Sequence, residues 1–138
     1  VHRQGPQALD EAVGGLSTFR LALHGTGAFP SFARPRTLWV GVGGDVEPLR
    51  SLERRVHASL AEIGFERDKK AFTPHLTLGR VKDERDRSLP AAMAEFAEEK
   101  VEGPEFEVSQ VILMRSELDP RGARYTPLHE AKLGGNDE

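Results

Sequence analysis

A chain of 138 residues, 38% of them hydrophobic, can bury one core and is too short to call for two independent domains, so a single domain over residues 1–138 is expected. Its 22 acidic and 19 basic residues leave a net charge of −3, which argues against gripping long nucleic acid through many phosphates but leaves room for a local phosphate site. The absence of cysteine excludes disulfides, thiolate zinc sites and cysteine nucleophiles; with no bilayer-length apolar run and no signal-peptide pattern at the N-terminus, a soluble, cytoplasmic protein is expected.

In chain order, Gln7 to Val13 reads as a short helix stopped by Gly14 and Gly15. Phe19 to His24 alternates apolar and polar residues like a strand with one buried face, and Gly25 and Gly27 are expected to end it. A second strand covers Thr37 to Val42, rich in β-branched and aromatic residues and closed by Gly43-Gly44-Asp45. Asp45 can cap the helix that follows, whose apolar positions Leu49, Leu52, Val56, Leu60 and Ile63 recur at three and four, with Gly64 as its C-terminal stop. Glu66 to Lys70 is a charged loop leading to Phe72-Thr73-Pro74.

His75-Leu76-Thr77-Leu78 alternates strictly, which puts His75 and Thr77 on one face of a strand and the two leucines on the other. Lys82 to Ser88 is a charged linker, and Leu89 to Lys100 an amphipathic helix turning Met93, Phe96 and Ala97 inward until Gly103-Pro104. Phe106 to Met114 reads as one long strand, paired through the turn Asp119-Pro120-Arg121-Gly122 with Arg124 to Leu128. The tail from Gly134 to Glu138 is expected to fray. Strands mixed with long helical connections make the fold α+β.

Chemistry concentrates at His75. Opening a cyclic phosphodiester needs a base and an acid on opposite sides of phosphorus, and imidazole, with an ordinary pKa of ~6.5, can serve as either near neutrality without a metal. A threonine two residues along the same face can donate its hydroxyl to a non-bridging phosphate oxygen, where charge develops. Taken alone, the same four residues also fit a half-buried strand whose polar face meets solvent.

The run Thr73-Pro74-His75-Leu76-Thr77-Leu78-Gly79-Arg80 resembles the histidine-x-threonine-x signature of the two-histidine phosphoesterases, in the form seen in bacterial RNA 2',3'-cyclic phosphodiesterases, also called 2'-5' RNA ligases. Gly27-Ala28-Phe29-Pro30-Ser31, Arg34 to Trp39, Arg115 to Leu118 and Tyr125 to Leu128 agree with that family in the same order, so the resemblance covers nearly the whole chain. It implies two lobes of antiparallel sheet with helices on their outer faces, related by a pseudo-two-fold, and a monomer acting without metal or cofactor on RNA or nucleotide 2',3'-cyclic phosphate ends. By resemblance His75 is the general base, Thr77 assists it, and the product carries a 2'-phosphate; joining RNA through 2'-5' linkages is the related activity. Arg80 would contact phosphate or nucleotide, although simple alternation puts it on the leucine face unless the strand bulges near Gly79.

Phe29 and Arg36 complete the expected substrate contacts: Phe29, like Trp39, either stacks on a base or belongs to the core, as does Tyr125, and Arg36, with Arg34, either faces phosphate or is solvated surface. The family carries its signature twice, and its spacing puts the first copy before Val1, so the expectation is a chain truncated at its N-terminus with the first lobe incomplete. His24-Gly25-Thr26-Gly27 matches the signature by letter but reads as a turn, and His2, His57 and His129 have no threonine two residues on. A non-catalytic domain binding nucleotides or RNA ends is the rival function; a structurally incomplete product that binds nothing is the third.

Overall fold

A computed structural model describes residues 4–66 and 71–134. The charged loop expected over Glu66 to Lys70 lies outside them from residue 67, as do His2 and the tail beyond Gly134. The elements are α1 (Gln4–Val13), β1 (Phe19–Pro30), β2 (Pro35–Gly44), α2 (Val46–Ala61), β3 (His75–Arg80), α3 (Leu89–Glu98), β4 (Glu102–Val108), β5 (Gln110–Asp119) and β6 (Gly122–Lys132). This is the expected α+β class with antiparallel pairing. Among the described residues no helix is long and apolar enough to cross a membrane. The chain separates into two compact units.

One unit is built on a four-stranded sheet in the order β3-β2-β1-β4, with α3. Here β1 does not end at Gly25. It runs on to Pro30 because the two residues His24 and Gly25 together face only Gly41 of β2, a bulge that Gly25 permits by taking a φ of 74°. The close approach is why position 41 is glycine: a Cβ there would lie 2.6 Å from the His24 carbonyl oxygen. Asp45 ties the far end of β2 to β1, accepting from the Arg20 backbone N–H at 3.1 Å while its own N–H donates to the Arg20 carbonyl. Buried Met93 and half-buried Phe96 anchor α3, but Ala97, expected inside, is exposed. Gly103 and Pro104 do not merely stop α3; they lie within β4, which tolerates proline because it borders the sheet.

The second unit holds α1, most of α2, and the hairpin β5-β6. The single long strand expected from Phe106 to Met114 is therefore two strands interrupted at Ser109 and belonging to different sheets. The hairpin turns as expected at Pro120-Arg121, where Asp119 accepts the Arg121 N–H at 2.7 Å and Gly122 takes a φ of 122°. Ala8, Leu9, Ala12 and Val13 bury one face of α1, and Ala131 and Leu133 are buried at the end of the hairpin. Arg55 of α2 closes α1 by donating to the Ala12 and Gly14 carbonyls at 2.7 and 2.9 Å. Of the expected α2 stripe only Leu52 is fully buried, and Gly64, at a φ of 99°, ends the helix as anticipated.

Candidate functional site

Register decides which side chains share a face, because residues opposite each other in an antiparallel pair project to the same side. His75 lies opposite Gly41, Thr77 opposite Trp39 and Arg80 opposite Thr37, while positions 37, 39 and 41 alternate along β2. All three expected residues of β3 therefore stand on one face. The pleat difficulty for Arg80 is resolved by Leu78, an extra residue in β3 where Leu38 and Trp39 are consecutive in β2. After that bulge the alternation is reset, and the Arg80 guanidinium donates to the Thr37 hydroxyl at 3.3 Å. On β1, Phe29 opposite Thr37 and Gly27 opposite Trp39 extend the same face.

The imidazole is held in a defined state. Its Nδ1 lies 2.7 Å from the Thr73 carbonyl oxygen, which can only accept, so Nδ1 carries a hydrogen and the neutral ring keeps its lone pair on Nε2. Phe29 meets the ring edge-on at 4.9 Å and 88°, Trp39 lies 5.7 Å away at 56°, and these two aromatics pack on each other at 5.0 Å. His75 is nevertheless exposed, as are Thr77 and Arg80, so a row of acceptor, hydroxyl and cation meets solvent beside an aromatic wall.

Glycine makes room for that wall. A Cβ at position 27 would fall 2.1 Å from the Trp39 ring, so the indole lies directly over Gly27. Trp39 is half-buried, and its Nε1 is buried without a hydrogen-bond partner among the described residues. Phe29, expected as a substrate contact, thus touches His75 itself. Sequence reasoning passed over Thr37 and the supporting part of Trp39; the signal was glycine opposite tryptophan on adjacent strands, which becomes visible only once the register is known.

Arg36 is not brought to this row. It stands at a register shift at the start of β2, its Nε 3.8 Å from a carboxylate oxygen of Glu84, and it lines a separate groove with Arg34. The histidine-x-threonine look-alike also fails to assemble: the bulge turns Thr26 away, and its hydroxyl donates to the Phe96 carbonyl at 2.8 Å. His24 remains exposed, with its Cβ 3.3 Å from where a Cβ at Gly43 would lie. In the other unit Tyr125 is 64% exposed rather than core, His129 meets Asp10 at 2.9 Å, and His57 meets Glu53 at 3.1 Å. Among the described residues no three histidine, aspartate or glutamate side chains converge as metal ligands would.

Comparison with known proteins identifies relatives of the chain and of its fold. The chain is 43% identical over 119 residues to the RNA 2',3'-cyclic phosphodiesterase of Aeropyrum pernix, covering 86% of this chain and 66% of that one. It is 36% identical over 120 residues to the protein of the same name from Methanothermobacter thermautotrophicus, covering 86% and 63%. The chain thus spans slightly less than two thirds of the length of these curated relatives. Among solved structures, the protein TT0787 of Thermus thermophilus matches with a TM-score of 0.73 at 30% identity, over 94% of this chain and 68% of that one. Escherichia coli LigT, solved with 3'-AMP, shares the fold at a TM-score of 0.64 and 24% identity, over 97% and 71%. The sequence model of the 2'-5' RNA ligase superfamily matches residues 6–120, and the chain belongs to that family.

Proposed function

We propose that this chain carries the base-catalytic row of an RNA 2',3'-cyclic phosphodiesterase, which hydrolyses cyclic phosphate ends to 2'-phosphomonoesters without a metal. The observation that carries the reading is the 2.7 Å contact of His75 Nδ1 with the Thr73 carbonyl: a carbonyl can only accept, so Nδ1 is committed as donor and Nε2 is free to take a proton from water. That water attacks phosphorus, the bond from phosphorus to the ribose 3'-oxygen breaks, and an acid on the opposite side protonates the departing oxygen. Thr77 and Arg80, on the same face, supply a hydroxyl and a guanidinium to the non-bridging oxygens. With a ribose 5'-hydroxyl attacking phosphorus in place of water, and the bond to the 3'-oxygen breaking as before, the same row would support 2'-5' joining. The activity for which the relatives at 36–43% identity are named supports the choice of substrate class.

Turnover of a nucleoside 2',3'-cyclic phosphate in the presence of a chelator tests this. His75→Ala should lower kcat by about 10²–10⁴, the usual worth of a positioned base, and unchanged turnover in that variant would end the proposal. His24→Ala should leave turnover as it is if the acid lies elsewhere. A second reading, binding without hydrolysis, is favoured by one observation: Thr26 is spent on Phe96, so the second histidine-x-threonine unit in this chain does not form. Saturable binding of the cyclic nucleotide with no product at any pH would decide for it.

A further inference from the structure

We propose that the groove along the start of α3 binds the RNA strand leading into the reacting end, through its phosphates, so that an oligoribonucleotide is held more tightly than the mononucleotide with the same end. The inference rests on the function proposed above for the His75 row, and it concerns different residues. The groove encloses about 780 Å³ and is lined by Phe32, Arg34, Arg36, Arg85, Arg87 and Met93, among others. Its four guanidiniums face two carboxylates, Glu84 and Asp86, which leaves a positive surplus on a chain whose net charge is −3.

Both carboxylates are already engaged. Glu84 sits 3.8 Å from Arg36. Asp86 accepts from the Ser88 hydroxyl at 2.7 Å and the Ser88 N–H at 2.9 Å, and these bonds hold its pKa below the ordinary value. Among the described residues no ion pair engages Arg34, Arg85 or Arg87. Guanidinium is the side chain suited to phosphate oxygens, since it offers paired donors and is weakly hydrated.

Two further features point to a nucleic-acid strand. The groove is not only cationic: Phe32, held edge-on to Phe96 at 6.3 Å, and Met93 give it an apolar floor on which a base can rest. It also begins where the His75 row ends, because Arg80 pairs with Thr37 and the next amide, of Val81, donates to the Arg36 carbonyl at 2.9 Å. Because α3 covers the face of the sheet opposite the His75 row, a strand whose terminal phosphate lies against His75, Thr77 and Arg80 reaches Arg34, Arg85 and Arg87 by passing round the end of β2 and β3 at Arg36. Phosphate contacts of this kind position a strand without reading its sequence.

Binding of a fluorescent single-stranded oligoribonucleotide ending in a 2',3'-cyclic phosphate tests the proposal by anisotropy, with a nucleoside 2',3'-cyclic phosphate as competitor. Three phosphate contacts on a single strand predict a slope of log K against log salt of about −2, or roughly twentyfold weaker binding at about 200 mM salt than at about 50 mM. Replacing Arg34, Arg85 and Arg87 together by alanine should weaken oligomer binding at least tenfold and flatten the slope. The affinity of the mononucleotide should stay as it was, with circular dichroism confirming the fold. Oligomer binding and slope unchanged by the triple variant would overturn the inference, as would an equal loss for oligomer and mononucleotide, or equally effective competition by an acidic peptide. Oligomer binding that responds to the arginines while no cyclic phosphate is ever hydrolysed would keep the groove and sink the catalytic reading instead.

Discussion

A histidine ring on a solvent-facing strand can rotate, and its two nitrogens can exchange roles, unless neighbouring atoms prevent both. At His75 the Thr73 carbonyl fixes the proton and the Phe29–Trp39 pair fixes the plane. The wall in turn depends on what is missing at Gly27. Alanine there would drive a methyl group into the indole, and overpacking of this kind costs about 1–3 kcal/mol. Gly27→Ala should therefore lower the midpoint of denaturant unfolding, and its effect on turnover should exceed what the fraction unfolded explains. Trp39 is the chain's single tryptophan, so its fluorescence reports the displacement directly. An unaltered emission spectrum with wild-type kcat would show that the ring does not depend on the space at position 27.

At the scale of elements, two of the sheet's register shifts decide which side chains meet, one in β1 at His24-Gly25 and one in β3 at Leu78. The second brings Arg80 onto the face of the His75 row. The first sends Thr26 to the Phe96 carbonyl of α3, a single neutral hydrogen bond whose net worth is about 1 kcal/mol. Thr26→Val should cost about that much in chemical denaturation and leave cyclic phosphate turnover nearly unchanged; a large loss of turnover would mean that the hydroxyl serves the site after all. Much of this was legible in the sequence and some of it was not. Strict alternation marked His75 and Thr77 correctly, since period two is local information. Arg80 could not be placed that way, because a bulge is a property of two strands and only Gly79 hinted at it. For the same reason β1 outran its expected end: glycine is both a strand terminator and a bulge residue, and only the partner strand decides between them.

For the molecule as a whole, each unit has its own way of closing loose ends. In the unit with the hairpin, Arg55 satisfies two carbonyls at the close of α1 across more than forty residues of chain. Charge-assisted bonds of this type are worth about 1.5–3 kcal/mol when well shielded and less when solvated. Arg55→Ala should thus lower the thermal midpoint and raise amide exchange in α1, while nucleotide binding by the other unit persists; equal thermal midpoints for variant and parent would deny the bond any stabilising part. The α+β class and most element positions could be anticipated from periodicity and turn residues. The two lobes were implied by the family resemblance, but the place where one sheet gives way to the other was not legible, because the Phe106–Met114 run is uniformly strand-like and nothing in its composition marks Ser109 as the break.

The strand that carries His75 has only β2 as a sheet neighbour among the described residues. Half of its backbone amides therefore exchange protons with water without any unfolding, whereas those of β1 and β2, flanked on both sides, wait for the sheet to open. Deuterium uptake should be graded across the sheet, with the outward amides of residues 75–80 labelling first. Any extended molecule that laid itself along that margin would slow the labelling while bringing its own side chains within reach of the His75 row.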